Sequence, residues 1–165
     1  VLIMTDAMSD LAASVKLDTV TAADLPPHAA EILASGWVKE DNGAWVLAAL
    51  QRSYSGERAG FDDLTGYEAA VNGRAVYDLD LPRDDDRAGL LLRRGYALIH
   101  EALEQIRSIP GSQVVTGLMT VSLSLTEDPM WVGNCTFWAE HEGEEPYFEI
   151  DDVCGADLLM SVTSQ

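Results

Sequence analysis

Three histidines, two cysteines and several closely spaced carboxylates are the side chains here whose types admit chemistry. Asp78-Leu79-Asp80 is followed by Asp84-Asp85-Asp86. On a strand, alternation would set Asp78 and Asp80 on one face, next to a helix start. Such a pair could hold Mg²⁺, which takes one or two carboxylates together with waters and substrate phosphates. Arg83 and Arg87 could then clamp phosphate charge. This reading is a small divalent-metal enzyme. The plainer reading of the same residues is a helix-capping cluster with local ion pairs, in which case they hold no metal.

A second acidic cluster comprises Glu140, Glu142, Glu144, Glu145, Glu149, Asp151 and Asp152. It lacks the D-x-D-x-D-G spacing of a calcium loop. His141 lies inside it, where neighbouring carboxylates favour the imidazolium form and make it a candidate pH-sensitive group, although it reads first as a solvated surface histidine. His28 follows two prolines at a helix start and reads as exposed. His100 sits beside Ile99 and Glu101 and reads as partly buried. Neither Cys135 nor Cys154 has an adjacent histidine to activate it as a nucleophile. Both read as free thiols, with a 135–154 disulfide the alternative if two strand ends meet. No phosphate-binding glycine loop, nucleophile elbow or zinc-protease helix occurs. No residue pattern calls for a cofactor, and no catalytic residue is assigned.

Charge is the unusual property. Asp and Glu number 28 against 10 Lys and Arg, a net −18 in 165 residues. Such a field repels nucleic acid and anionic membranes and attracts basic surfaces. Ten of the acids, and no Lys or Arg, lie between Ser108 and Gln165. Mixed signs would serve solubility equally well. A face of one sign speeds encounter with a basic partner, and such a partner relieves its self-repulsion. Trp131, Trp138, Tyr147 and Phe148 are interleaved with this acid. If Trp138 and Glu140 share an outward strand face, an aromatic anchor sits among carboxylates, as in binding hot spots. The alternative is that Trp138 packs under the long helix. The expected partner-binding residues are Trp138, Glu140, Glu142, Glu144, Glu145, Tyr147, Glu149, Asp151 and Asp152.

A single acidic α+β domain without a catalytic signature is similar in type to small bacterial immunity proteins and antitoxins, although no motif can be matched residue by residue. The likeness implies a basic protein partner such as a toxin nuclease, whose own site must bind phosphate. Eight Arg against two Lys is the usage of a GC-rich, bacterial genome. No run approaches the ~20 apolar residues of a membrane span, and Val1–Met4 is too short for a signal peptide core, so the expected compartment is the cytoplasm. Met4 and Met8 are both candidate natural starts. A third reading is a subunit or chaperone of a larger assembly, using the edge of a hairpin over Trp37–Leu47.

These groups need a scaffold. The length is that of one domain, with about the first 20 residues weakly patterned and expected as a flexible N-terminal segment. A short helix is expected around Ser9–Lys16, and another from Asp24-Leu25-Pro26-Pro27 to Ser35, stopped by Gly36. Asn42-Gly43 between two tryptophan-led runs predicts a hairpin, with a competing helix over Ala44–Arg52. Residues 53–66 read as loop. Asn72-Gly73 predicts a second hairpin, Tyr67–Val71 with Arg74–Leu79. A long helix runs from about 85 to 108 on an apolar stripe from Leu91 to Ile106, with Gly95 costing about 1 kcal/mol relative to alanine. Met119, Val121, Leu123 and Leu125 alternate with polar residues in a half-buried strand. Asn134–Glu140 and Tyr147–Asp151 complete a meander, and a helix over Ala156–Val162 closes the chain. Segregated helices and antiparallel strands give an α+β class, a sheet of five to seven strands with the long helix on one face.

Overall fold

The computed structural model describes residues 1–150 and 157–164. The fold is α+β, a five-stranded antiparallel sheet with one long helix packed across it. That helix, α5 (Arg87–Arg107), buries Leu91, Leu92, Leu98, Ile99, Ala102, Leu103 and Ile106 on one stripe. The stripe lies on three strands, β5 (Val115–Leu123), β6 (Trp131–Ala139) and β7 (Leu158–Thr163). β5 is central, pairing antiparallel with β6 on one side and β7 on the other. Alternation sends Met119, Val121, Cys135, Phe137 and Met160 toward the helix core. Thr116, Leu118, Thr120, Asn134, Thr136, Trp138, Ser161 and Thr163 lie on the opposite face. Helix and sheet meet closely at Gly95. A Cβ there would stand 2.4 Å from the Met119 sulfur and 3.2 Å from that of Cys135. The helix-propensity cost of that glycine is therefore the condition for this approach.

The first residues join the sheet. β1 (Leu2–Met4) pairs with β7 as an edge strand, and Thr5 caps α1 (Asp6–Ser14), which packs on α5. Helix α2 (Pro27–Ala34) starts on its prolines and ends at Gly36, whose φ is +69°. The Asp41-Asn42-Gly43 turn closes the expected hairpin between β2 (Trp37–Lys39) and β3 (Trp45–Leu47), with Gly43 at φ +99°. A short helix, α3 (Ala48–Ser53), follows directly, so the strand and helix readings of this stretch each hold for part of it.

Four expectations are corrected. Residues 67–71 are not a hairpin strand but part of helix α4 (Leu64–Val71). Asp63 accepts the Gly66 N–H at its start, and Tyr67, Glu68 and Val71 fall on one buried helical face. Asn72-Gly73 ends this helix instead of turning a hairpin, and only β4 (Arg74–Ala75) remains as strand, paired to β6. Residues 76–80 are not strand, so Asp78 and Asp80 do not share a strand face. Near the end of the chain, Tyr147–Glu149 is irregular, not strand, and the segment read as a closing helix forms β7 over its described part. Asp151 and Ala156 lie outside the described residues. Leu158, Leu159, Met160 and Val162 are apolar enough to complete the sheet beside β5, and that burial overrides local helix propensity.

The two-stranded hairpin and the large sheet do not pair directly. Helix α4 joins them through two side chains one turn apart. Asn72 accepts the Leu47 N–H at 2.8 Å and donates to the carbonyls of Trp45 at 3.0 Å and Phe137 at 3.1 Å. It is fully buried. Truncating it strands three buried backbone groups, each worth roughly 1–3 kcal/mol when left unsatisfied. Asn72→Ala is expected to lower stability by about 3 kcal/mol or more in urea unfolding. A loss below about 1 kcal/mol would show that this bridge is not holding the hairpin.

Candidate functional site

Glu68, one turn before Asn72, is the second bridge. Its carboxylate is wholly buried and accepts the backbone N–H of Trp45 at 2.5 Å and of Ala139 at 2.6 Å. It therefore closes the free edges of β3 and β6 together. A third contact comes from His141, whose Nε2 lies 3.0 Å from Glu68 Oε1. Burial pushes the Glu68 carboxyl up; the Ala139 and Trp45 N–H groups and His141 oppose this without cancelling it. The other side of the imidazole meets Gln113, whose Nε2 lies 3.4 Å from Nδ1 and donates to the Glu140 carbonyl. His141 is thus not the solvated surface group that its acidic neighbours suggest. Its side chain is 9% exposed and engaged at both ring nitrogens.

Beyond His141 the chain forms a loop that carries most of the expected partner-binding carboxylates. A second anchor holds it. Glu144 reaches back to the start of α4 and accepts the N–H of Leu64 at 3.0 Å, and the N–H and hydroxyl of Thr65 at 2.8 and 2.7 Å. A carboxylate at a helix N-terminus satisfies orphan donors and complements the dipole. Partial burial raises the Glu144 pKa, but the bonds from Leu64 and Thr65 outweigh it and hold the carboxyl below its ordinary value. Glu144 is therefore a structural anchor and not a free acidic contact.

With the loop pinned at His141 and Glu144, Glu140, Glu142, Glu145 and Glu149 remain exposed. Trp138 is 3% exposed but does not pack under α5. It lies on the open face of the sheet, where the Tyr147 ring covers it at 5.5 Å between centroids and a 54° tilt. Tyr147 itself is half exposed. A cavity of about 540 Å³ opens beside them. Trp138, Glu140, Glu144, Glu145 and Glu149 line it with His141, Thr65 and the β1 residue Ile3. Five of the expected residues thus share one cavity. Tyr147 borders it through Trp138, and Glu142 stands apart on the turn. Asp151 and Asp152 lie outside the described residues.

The other sites of interest resolve into structure. Arg87, 4% exposed, donates to Asp78 at 2.5 Å and to the carbonyls of Trp131, Leu81 and Pro82. Arg94 grips both oxygens of Asp80 at 2.7 Å, and this ion-paired bond, with Asp80 largely exposed, lowers the Asp80 pKa to about 2. Asp84 accepts the Asp86 N–H. The cluster fastens the 78–86 loop to α5 through the local ion pairs of the plainer reading, but it does not cap the helix: Asp86, at the N-cap, makes no side-chain bond to the first turn. Among the described residues no group of three His, Cys, Asp or Glu is placed to hold a metal ion. Cys135 is a free thiol pushed up to about 12 by burial, and Cys154 lies outside the described residues. His28 and His100 are both exposed, His100 more so than its apolar neighbour Ile99 suggests. Among the described residues no helix is long and apolar enough to cross a membrane.

Sequence reasoning missed Glu68 and Thr65, because both sit in the segment taken for loop and hairpin. A signal was present. Asp63 followed by apolar residues at 64, 67 and 71 is a capped helix with helical spacing.

The Glu144 anchor makes a pH-dependent prediction. A carboxyl with a lowered folded-state pKa binds fewer protons folded than unfolded. Its stabilisation is present above the unfolded value, near 4.5, and is lost as pH falls through the folded value. Glu144→Gln is expected to cost about 1 kcal/mol at pH 7. The gap to the wild-type chain should close in urea melts as pH falls from 6 to 3. Subtracting the two chains cancels Glu68, whose raised pKa acts in the opposite sense. A gap that stays constant across this range would show that the Glu144 charge is not what caps α4.

Compared with protein-family models, with curated proteins and with solved structures, the chain matches none.

Proposed function

We propose that this chain is a non-catalytic binding protein that covers a basic surface of another protein. In its narrower form it is an immunity- or antitoxin-type inhibitor of a bacterial toxin such as a nuclease. One observation carries the reading. Four exposed carboxylates and a half-exposed tyrosine sit on a single loop that is fastened to the body at His141 and Glu144. No lysine or arginine is among the residues lining the cavity beside it.

The physical case has three parts. Charge of one sign attracts a basic surface over several ångströms and speeds encounter. Fastening the loop beforehand lowers the ordering cost of binding. Tyr147 offers an aromatic anchor with few rotatable bonds in the middle of the charge. The engaged ring of His141 and the buried thiol of Cys135 add support, because neither is free to act on a substrate. The metal-enzyme reading has no such support, since Asp78 and Asp80 are each held by an arginine. The assembly reading through the hairpin loses one of its two edges, because the outer edge of β3 is closed by Glu68 and Asn72.

The test is comparative capture. The immobilised chain should retain basic proteins from a lysate at low salt and release them as salt rises. A variant combining Glu140→Gln, Glu142→Gln, Glu145→Gln and Glu149→Gln should melt normally, yet bind the retained partner at least roughly tenfold more weakly and so fail to retain it at low salt. Retention of the same partner by both chains would sink the proposal.

A further inference from the structure

The cavity beside the loop asks what enters it. Its wall is apolar where Trp138, Phe148 and Ile3 contribute, and its rim carries Glu140, Glu145 and Glu149. An occupant with an apolar stem and a positive head matches both. A second observation comes from Trp138. It is 97% buried and lines the cavity, and its indole N–H meets no acceptor among the described residues. Nor is that nitrogen among the polar atoms sealed inside the protein without a partner. It therefore stays open to the solvent of the cavity, where an acceptor on an occupant can replace water. The hydroxyls of Thr116 and Thr163, 3.3 Å apart, add further polar contacts on the same face.

Taken with the binding role proposed above, on which this step rests, we infer that the cavity receives an arginine side chain from an extended basic segment of the partner. The segment supplies the two things the cavity lacks. Its guanidinium meets the rim carboxylates in charge-assisted hydrogen bonds, and its backbone carbonyls offer the acceptor for Trp138. The methylene stem lies along the apolar wall at Phe148 and Ile3, where the phenyl face also attracts the cation. The cavity is thus the specificity element and the surrounding loop the steering element. A partner that is merely basic is attracted, and one that can extend an arginine is retained.

The probe is a capped glycine–serine octapeptide with two arginines, and its twin with citrulline in their place. Citrulline keeps the shape and removes the charge. Binding is followed by the nitrogen–proton NMR signal of the Trp138 indole. A saturable shift of that signal with the arginine peptide is expected, with affinity at least tenfold weaker for citrulline. Ser161→Phe fills the cavity from β7 without altering charge, and should weaken the arginine peptide by a similar factor. Equal affinity for the two peptides, no shift at Trp138, or a folded Ser161→Phe chain that binds normally would each overturn the inference. Should that variant fail to fold, the citrulline comparison decides alone. These outcomes separate from those of the binding role itself. If the cavity tests fail while neutralising the rim still abolishes capture, the acidic surface stands without the cavity. If the neutralised rim still captures, the role fails as a whole.

Discussion

A buried carboxylate with too few donors would be among the least favourable groups a small domain could hold. Glu68 is tolerable because two backbone N–H groups and an imidazole converge on it. Those donors belong to β3, to the end of β6 and to the start of the acidic loop. The cost of burying the charge is thus offset only when hairpin, sheet and loop all stand in their places. With Asn72 one turn later, Glu68 lets α4 act as a side-chain substitute for a missing strand. It satisfies the open edges of two sheets that never pair with each other.

The loop inherits its shape from this arrangement. His141 is drawn inward by Glu68, and Glu144 by the N-terminus of α4, so the same short helix fixes the loop twice. Between and beyond these anchors the remaining glutamates face solvent. Like charges this close repel one another, and hydrogen bonds at the anchors hold the loop against that repulsion. The acidic cluster thus divides its work. Glu144 builds the surface, and Glu140, Glu142, Glu145 and Glu149 form it.

How much of this could be read from residues alone depended on whether the signal was local. The α5 stripe repeats its apolar residues over more than four turns, and Met119 and Val121 alternate into the core as expected, so class and central packing were legible. Leu123 and Leu125, expected on the same core face, are exposed, because β5 runs out beyond the helix at Leu123. So was the asymmetry of charge after Arg107, a property of composition. Helix α4 was obscured because Asn72-Gly73 has the local chemistry of a hairpin turn, while its actual role depends on Leu47 and Phe137, 25 and 65 positions away. β7 was obscured because its partner strand lies about 40 residues earlier. The candidate residues Glu140, Glu145, Glu149 and Trp138 were found from charge and aromatic spacing. That Glu144 is an anchor, and that Trp138 faces away from α5, came only from tertiary contacts.

The claim at the centre is that the fixed acidic loop steers a basic protein onto this face. Its most direct test is the association rate of the captured partner with the immobilised chain, measured from 50 to 500 mM salt. The account predicts a fall of an order of magnitude or more, because the Debye length shrinks from above 10 Å to about 4 Å over that range. A rate independent of salt would contradict it.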